Sequence, residues 1–307
     1  MSPVVPALVR WRDVVVHRLN GPRMRTAWAV LLTVVVLALV GVAAGPGWNP
    51  APVSATLTPA SDSVAVAGST GTSVVGRYET TSSRVEIELI PPDPQDPDDT
   101  GITTDVLIVE PVGLTEPAPA VVFLHGAGTG LDEAFAEHAQ ALASAGIVAM
   151  SPSKRLDNYD TAQRDYPGMA TDYSRTLELA RTRPGVDPDR VGLYAESEGA
   201  WVAPILAFVA LISAPIVTPR QQGAFAVDAY LRAVGVPPTM LRAIPRATGA
   251  HWPAGFLTYA DFDVLPYLAK TDQPIFMAYG TDDLSMPTVQ APQIVMGAVP
   301  DGGDQVL

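Results

Sequence analysis

From Val85 onward the alternation of apolar and polar positions changes character several times, and each change implies an element. Val85–Ile90 (VEIELI) and Thr103–Val109 alternate, the period of a strand with one buried face. Between them Pro91–Gly101 (PPDPQDPDDTG) holds too many prolines and acids for a helix or a central strand and reads as a solvated loop. This pair fits an antiparallel entrance to a sheet. Ala120–Leu124 (AVVFL) is apolar throughout, as a strand buried on both faces is, and Gly146–Met150, Arg190–Ala195 and Pro274–Tyr279 read the same way. Asp132–Ala145 carries Phe135, Ala139, Leu142 and Ala143 at helical spacing, and Ala170–Arg183 is a second helix closed by Pro184-Gly185. The alternation predicts an α/β protein with a mostly parallel, doubly wound sheet covered by helices on both faces. Ala200–Ser213 stays apolar throughout, so its periodicity leaves two readings: a short helix containing Pro204 followed by a strand at Phe208–Ser213, or one helix over Ala200–Ile212.

Ahead of this pattern lies a different one. Residues 1–25 form a basic segment, with Arg10, Arg12, Arg18, Arg23 and Arg25 against the single acid Asp13. No charged side chain occurs from Thr26 to Ser61, and Ala27–Ala44 is apolar except at Thr33 and Gly41. As a helix that run would be about 27 Å long, enough to cross most of a hydrocarbon core. The expectation is a transmembrane helix over residues 26–45 with the basic flank cytoplasmic, followed by a Pro/Ser/Thr-rich tether at 46–71 and a folded, extracytoplasmic domain at 72–307. That arrangement makes the protein a single-pass component of the cell membrane. A cleaved signal peptide ending near Val42-Ala43-Ala44 is the alternative.

Composition narrows the function. The 307 residues carry 32 Asp+Glu against 19 Lys+Arg, a net charge of −13, which argues against a general nucleic-acid binder. Cysteine is absent, which excludes disulfides, thiolate metal sites and a thiol nucleophile. There are four histidines, His17, His125, His138 and His251. Nothing in the chain implies a metal or organic cofactor, and the oligomeric state is not legible.

Three segments carry candidate chemistry. In Ala195-Glu196-Ser197-Glu198-Gly199 a buried strand runs into a serine flanked by small residues two positions to either side, the steric requirement of a strained strand–turn–helix that lifts a nucleophile into a cleft. The amide of Glu198 then lies at a helix start, where it can donate to an oxyanion. His125-Gly126-Ala127-Gly128 follows another buried strand and can present a second amide, that of Ala127, with Gly128 the alternative. Its glycines do not complete a phosphate-binding pattern. Tyr279-Gly280-Thr281-Asp282-Asp283 puts a carboxylate after a late strand; Asp283 is the candidate to orient a histidine, with Asp282 second. Glu196 and Glu198 are expected to turn their carboxylates away from a reacting oxyanion.

On these HGAG, AESEG and GTDD segments the chain resembles the α/β-hydrolase superfamily, on the side of dienelactone hydrolases and prolyl-oligopeptidase-like esterases, over roughly residues 72–307. The resemblance implies an eight-stranded, mostly parallel sheet with a small helical cap over about 216–266. It implies Ser197 as nucleophile, Asp283 as triad acid, Ala127 and Glu198 as oxyanion-hole amides, and a small-molecule, ester-like substrate. It also implies a histidine after the acid, yet only 24 residues follow Asp283 and none is histidine. The sequence therefore reads as one that stops where the last strand would begin, at Gln305–Leu307, without that strand and its histidine loop. Two other readings remain: a catalytically inert relative acting as a binding protein, and a peptidase.

Overall fold

Each apolar run pairs with its neighbours in one sheet. The computed structural model describes residues 26, 29–33, 76–96, 98–128, 132–155, 159, 163–206, 209–237, 258–271, 274–280 and 283–299. In chain order these form β1 (Thr80–Ile90), β2 (Ile102–Pro111), β3 (Ala118–Leu124), α1 (Ala136–Ser144) after a 3₁₀ turn at Asp132–Phe135, β4 (Val148–Pro152), α2 (Tyr166–Thr182) and β5 (Val186–Glu196). Then follow α3 (Gly199–Val202), a 3₁₀ turn at Ala203–Ile205, β6 (Val209–Ile212), α4 (Pro219–Ala233), α5 (Leu265–Leu268), β7 (Ile275–Ala278) and α6 (Gln290–Ala298). The seven strands lie in the order β1-β2-β4-β3-β5-β6-β7. β2 is antiparallel to both of its neighbours, β1 and β4, and every other pairing is parallel.

The sheet explains why β3 reads as a continuous apolar run, and it corrects the one buried face expected of β2, in which Val106–Val109 are all buried. Val106 and Ile108 of β2, with Val122 and Leu124 of β3, enter a large core that includes Tyr166, Tyr173 and Leu177 of α2 and Trp201 of α3. Leu107, Val109 and Phe123 point to the other face and pack on Phe135, Ala139 and Ala143 of the first helical segment. With both faces covered, period-2 alternation deposits apolar residues on each side. Pro204 settles the ambiguous stretch after Gly199: the helix tightens into a 3₁₀ turn there, and β6 follows as a separate strand.

The expected single-pass membrane localisation is corrected. Among the described residues no helix is long and apolar enough to cross a membrane. Of the apolar run only Ala29–Thr33 is described; it is helical, with the Thr33 hydroxyl bonded back to the Ala29 carbonyl at 2.8 Å. Apart from Thr26, the rest of the 26–45 run lies outside the described residues. Residues 1–25, the tether at 46–71 and the strand expected at Gln305–Leu307 lie outside the described residues. Within the expected cap, α4 is the described helix, opened by a capping box in which Thr218 and Gln221 serve each other's backbone amides.

Candidate active site

Strain marks one edge of the sheet. Among the described residues, the three non-glycine residues with positive φ are Ser197 (51°), Ser213 (46°) and Ile216 (56°), all just past the C-terminal ends of β5 and β6. Such conformations are unfavourable for side chains with a Cβ and cluster at functional turns. Ser197 follows the last residue of β5. Its amide donates to the Ile212 carbonyl at the end of β6 (3.1 Å), and its carbonyl accepts from Ala200 (3.0 Å) as α3 begins. The serine is thus held by strand pairing on one side and by a helix start on the other.

The flanking small residues are there for space. A Cβ placed on Gly199 would lie 2.1 Å from the Leu124 carbonyl oxygen of β3, an impossible contact. Ala195 is fully buried. The glycine-rich turn after β3 meets the serine directly: a Cβ on Gly126 would lie 3.3 Å from the Ser197 Cβ and 3.8 Å from its Oγ. Two of the three sequence segments are therefore in contact. The third reaches the same edge, because Glu196, Ile212 and Ala278 are consecutive register partners across β5, β6 and β7. Asp283 follows β7, two strand spacings from β5, about 10 Å. Its Oδ1 accepts from the amides of Ser285 (2.8 Å) and Met286 (3.2 Å), and no described group bonds its Oδ2. Helix α4 rests on this loop through Gln222, which donates to the Ser285 carbonyl (2.9 Å), and through Tyr230, whose hydroxyl is 3.1 Å from that of Ser285. Asp282 and His251 fall outside the described residues, as does His17.

The histidines that are described do not bridge serine and acid. His125 is buried beneath its turn, its ring beside Phe135, and burial followed by the nearby Lys154 charge pushes its pKa down to about 4, so it is neutral at pH 7. His138 packs edge-on against Phe135 on the outer surface of α1.

A charged cluster beneath the turn is the feature that local sequence patterns miss. The Glu198 side chain is 1% exposed. Its Oε2 accepts from Lys154 Nζ (2.6 Å) and from the Tyr159 hydroxyl (2.6 Å), and its Oε1 pairs with Arg164. Lys154 also donates to the Gly126 carbonyl (2.6 Å), and the Tyr159 hydroxyl accepts from the Gly128 amide (3.0 Å). Arg164 lies between the rings of Tyr159 and Tyr259, 5.1 and 4.7 Å from their centroids. Burial lowers the Lys154 pKa while Glu198 opposes the shift. For Arg164 burial acts downward, but Glu198 and the surrounding tyrosines outweigh it and the pKa rises. Burial and the hydrogen bond to Glu198 push the Tyr159 hydroxyl up to about 12, so it stays protonated. The expectation that the Glu198 carboxylate turns away from the reacting position and bridges elsewhere is met by this cluster. The one available hint was composition: the chain has only two lysines, and one of them lies two residues past a buried strand.

An antiparallel pair lies at one edge, the strand order is 1-2-4-3-5-6-7, and a strained serine lies between β5 and a helix. The fold is an α/β-hydrolase fold. Solved structures similar to the chain include a brefeldin A esterase described as a bacterial homologue of human hormone sensitive lipase, at 17% identity, 75% of this chain, 68% of that chain and a TM-score of 0.48. They also include the α/β hydrolase GrgF from Penicillium sp. sh18, at 15%, 72%, 87% and 0.47. A third is an acetyl xylan esterase from Paenibacillus sp. R4, at 16%, 73%, 79% and 0.43. No protein-family model and no curated protein sequence matches the chain. The chemistry of this α/β-hydrolase fold has to come from its own residues.

Proposed function

We propose that the domain is a serine hydrolase acting on small, ester-like carbonyl substrates. The observation that carries this reading is the positive φ of Ser197 at the strand–helix turn, packed against the glycine turn after β3. A strained, half-buried serine whose Oγ makes no hydrogen bond among the described residues has no evident structural duty. In the proposed reaction the Ser197 oxygen attacks the substrate carbonyl and forms the new C–O bond while its proton passes to a base. The carbonyl oxygen becomes an oxyanion facing the amides of Glu198 and Ala127. Collapse expels the alcohol, which takes up the proton, and water then releases the acid from the acyl-serine. Of the two amides offered by the glycine turn, that of Gly128 is engaged by Tyr159, which leaves Ala127 as the donor.

Asp283 would orient the imidazole that serves as base, through the Oδ2 that no described group bonds. His125 and His138 make no hydrogen bond to Ser197 or Asp283, so the reading assigns that imidazole to a part of the protein outside the described residues. The same observation favours the alternative, an inert relative that binds a ligand in the cleft. Hydrolysis of p-nitrophenyl acetate by the chain, with and without added imidazole, separates them. The hydrolase reading expects a rate that imidazole raises and that Ser197→Ala lowers about 10-fold or more. Equal rates for the chain and Ser197→Ala at every imidazole concentration would favour the binding protein.

A further inference from the structure

We propose that Lys154, Tyr159, Arg164 and Glu198 form a clamp that fixes the peptide orientation of the oxyanion turn, with Lys154 and Tyr159 as positioning residues for catalysis. The inference rests on the hydrolase reading of Ser197 and deepens it.

Lys154 grips the carbonyl of Gly126, and that carbonyl belongs to the same peptide unit as the amide of Ala127. The described peptide bonds include no cis bond. In a planar trans unit the C=O and N–H point in opposite directions. Holding the Gly126 oxygen toward the buried ammonium therefore turns the Ala127 N–H the other way. The following peptide is fixed from its opposite end, because the N–H of Gly128 donates to Tyr159. One unit is held by its oxygen and the next by its hydrogen. A flip of the Ala127 amide would have to break the Lys154 contact, and recruitment of Gly128 as donor would have to break the Tyr159 contact.

Both grips converge on one carboxylate. Lys154 and Tyr159 each donate to Glu198 Oε2, and Arg164 takes Oε1, so the carboxylate is saturated in a buried setting. Glu198 is also the residue whose backbone amide is the other oxyanion donor. A single residue thus supplies one donor from its main chain and anchors the second through its side chain. The cluster holds two cations and one anion, and its surplus positive charge lies under the turn where an oxyanion would form. Glycine at 126 and 128 makes the turn soft, which is why an external grip is needed to select one orientation.

The test compares the chain with Lys154→Met, Tyr159→Phe and Ser197→Ala, in imidazole buffer. It reads kcat and KM for p-nitrophenyl acetate and the inhibition constant of phenylboronic acid, whose serine adduct carries a tetrahedral, oxyanion-like centre. Complete loss of an oxyanion donor costs about 10²–10³ in kcat. Freeing the turn is expected to cost about 10-fold or more in kcat and a parallel factor in boronate affinity, with KM within about twofold. Tyr159→Phe retains the ring between Lys154 and Arg164, so a folding failure of Lys154→Met leaves the test intact. If Ser197→Ala is inactive while Tyr159→Phe keeps kcat and boronate affinity within twofold, the clamp is wrong and the hydrolase reading survives. If either clamp variant loses rate without losing boronate affinity, the cluster only stabilises the fold and the clamp is again wrong. If Ser197→Ala is as active as the chain, the hydrolase reading fails, and the clamp with it.

Discussion

His125 shows how much a single position can be asked to do. It directly follows β3 at the start of the glycine turn and is 2% exposed, beside the buried Lys154. Its folded pKa of about 4 lies below the ordinary histidine value of 6.5. The unfolded chain therefore binds a proton that the folded chain refuses, and stability is retained above pH 6.5 and lost as pH falls toward 4. The two values imply a loss of about 3 kcal/mol over that window. Urea denaturation of the chain and of His125→Gln at pH 7 and pH 4.5 checks this. The pH dependence of the variant should be flatter by a large part of that amount, and parallel curves would remove His125 as the cause. The neighbouring Glu198 cluster was not legible as a cluster, because its members are distant in sequence: Glu198 is 44 residues from Lys154 and 34 from Arg164. No periodicity or local motif records such a contact; only the fold brings the ends of β4 and β5 together.

Elements were far more legible, for steric reasons. Strands buried on both faces leave continuous apolar runs, so β3 and β4 were readable from five residues each, while β7, whose Phe276 is exposed, was readable from its apolar character alone. β1 begins at Thr80 because backbone pairing to Pro111 and Glu110 continues past the alternating side chains. The elbow was legible because close packing forces small residues around Ser197, and Gly199 faces the Leu124 carbonyl with no room for a methyl group. Gly199→Ala is accordingly expected to destabilise the protein by about 3 kcal/mol, and to disturb the Ser197 turn. Thermal unfolding of the variant reads the first effect and phenylboronate affinity the second. A melting temperature unchanged from that of the parent chain would mean that α3 and β3 are not packed as described. At the N-terminus hydropathy predicts a membrane location that no described helix supports, since it records side-chain character alone.

For the whole molecule, the acidic balance works at longer range than any contact. A net charge of −13 repels anionic molecules as they approach, while the cationic surplus under the glycine turn acts only at short range. Long-range repulsion fades over a Debye length of about 10 Å at 0.1 M salt. kcat/KM for an ester bearing a carboxylate should therefore rise with sodium chloride relative to that of a neutral ester of the same size. A ratio that stays flat from low to physiological ionic strength would show that the surface field does not reach the cleft. The fold itself was legible as α/β and mostly parallel, and the three chemical segments do meet or approach at one sheet edge. What joins them into an active site is the proposal that Ser197 is a nucleophile.

That proposal is tested most directly by covalent capture. The chain is incubated with a fluorophosphonate in imidazole buffer, and the intact mass and the modified peptide are determined. The account predicts a single adduct on Ser197, formed more slowly in Lys154→Met and absent in Ser197→Ala. No adduct under any imidazole concentration, or the same adduct in Ser197→Ala, would contradict it.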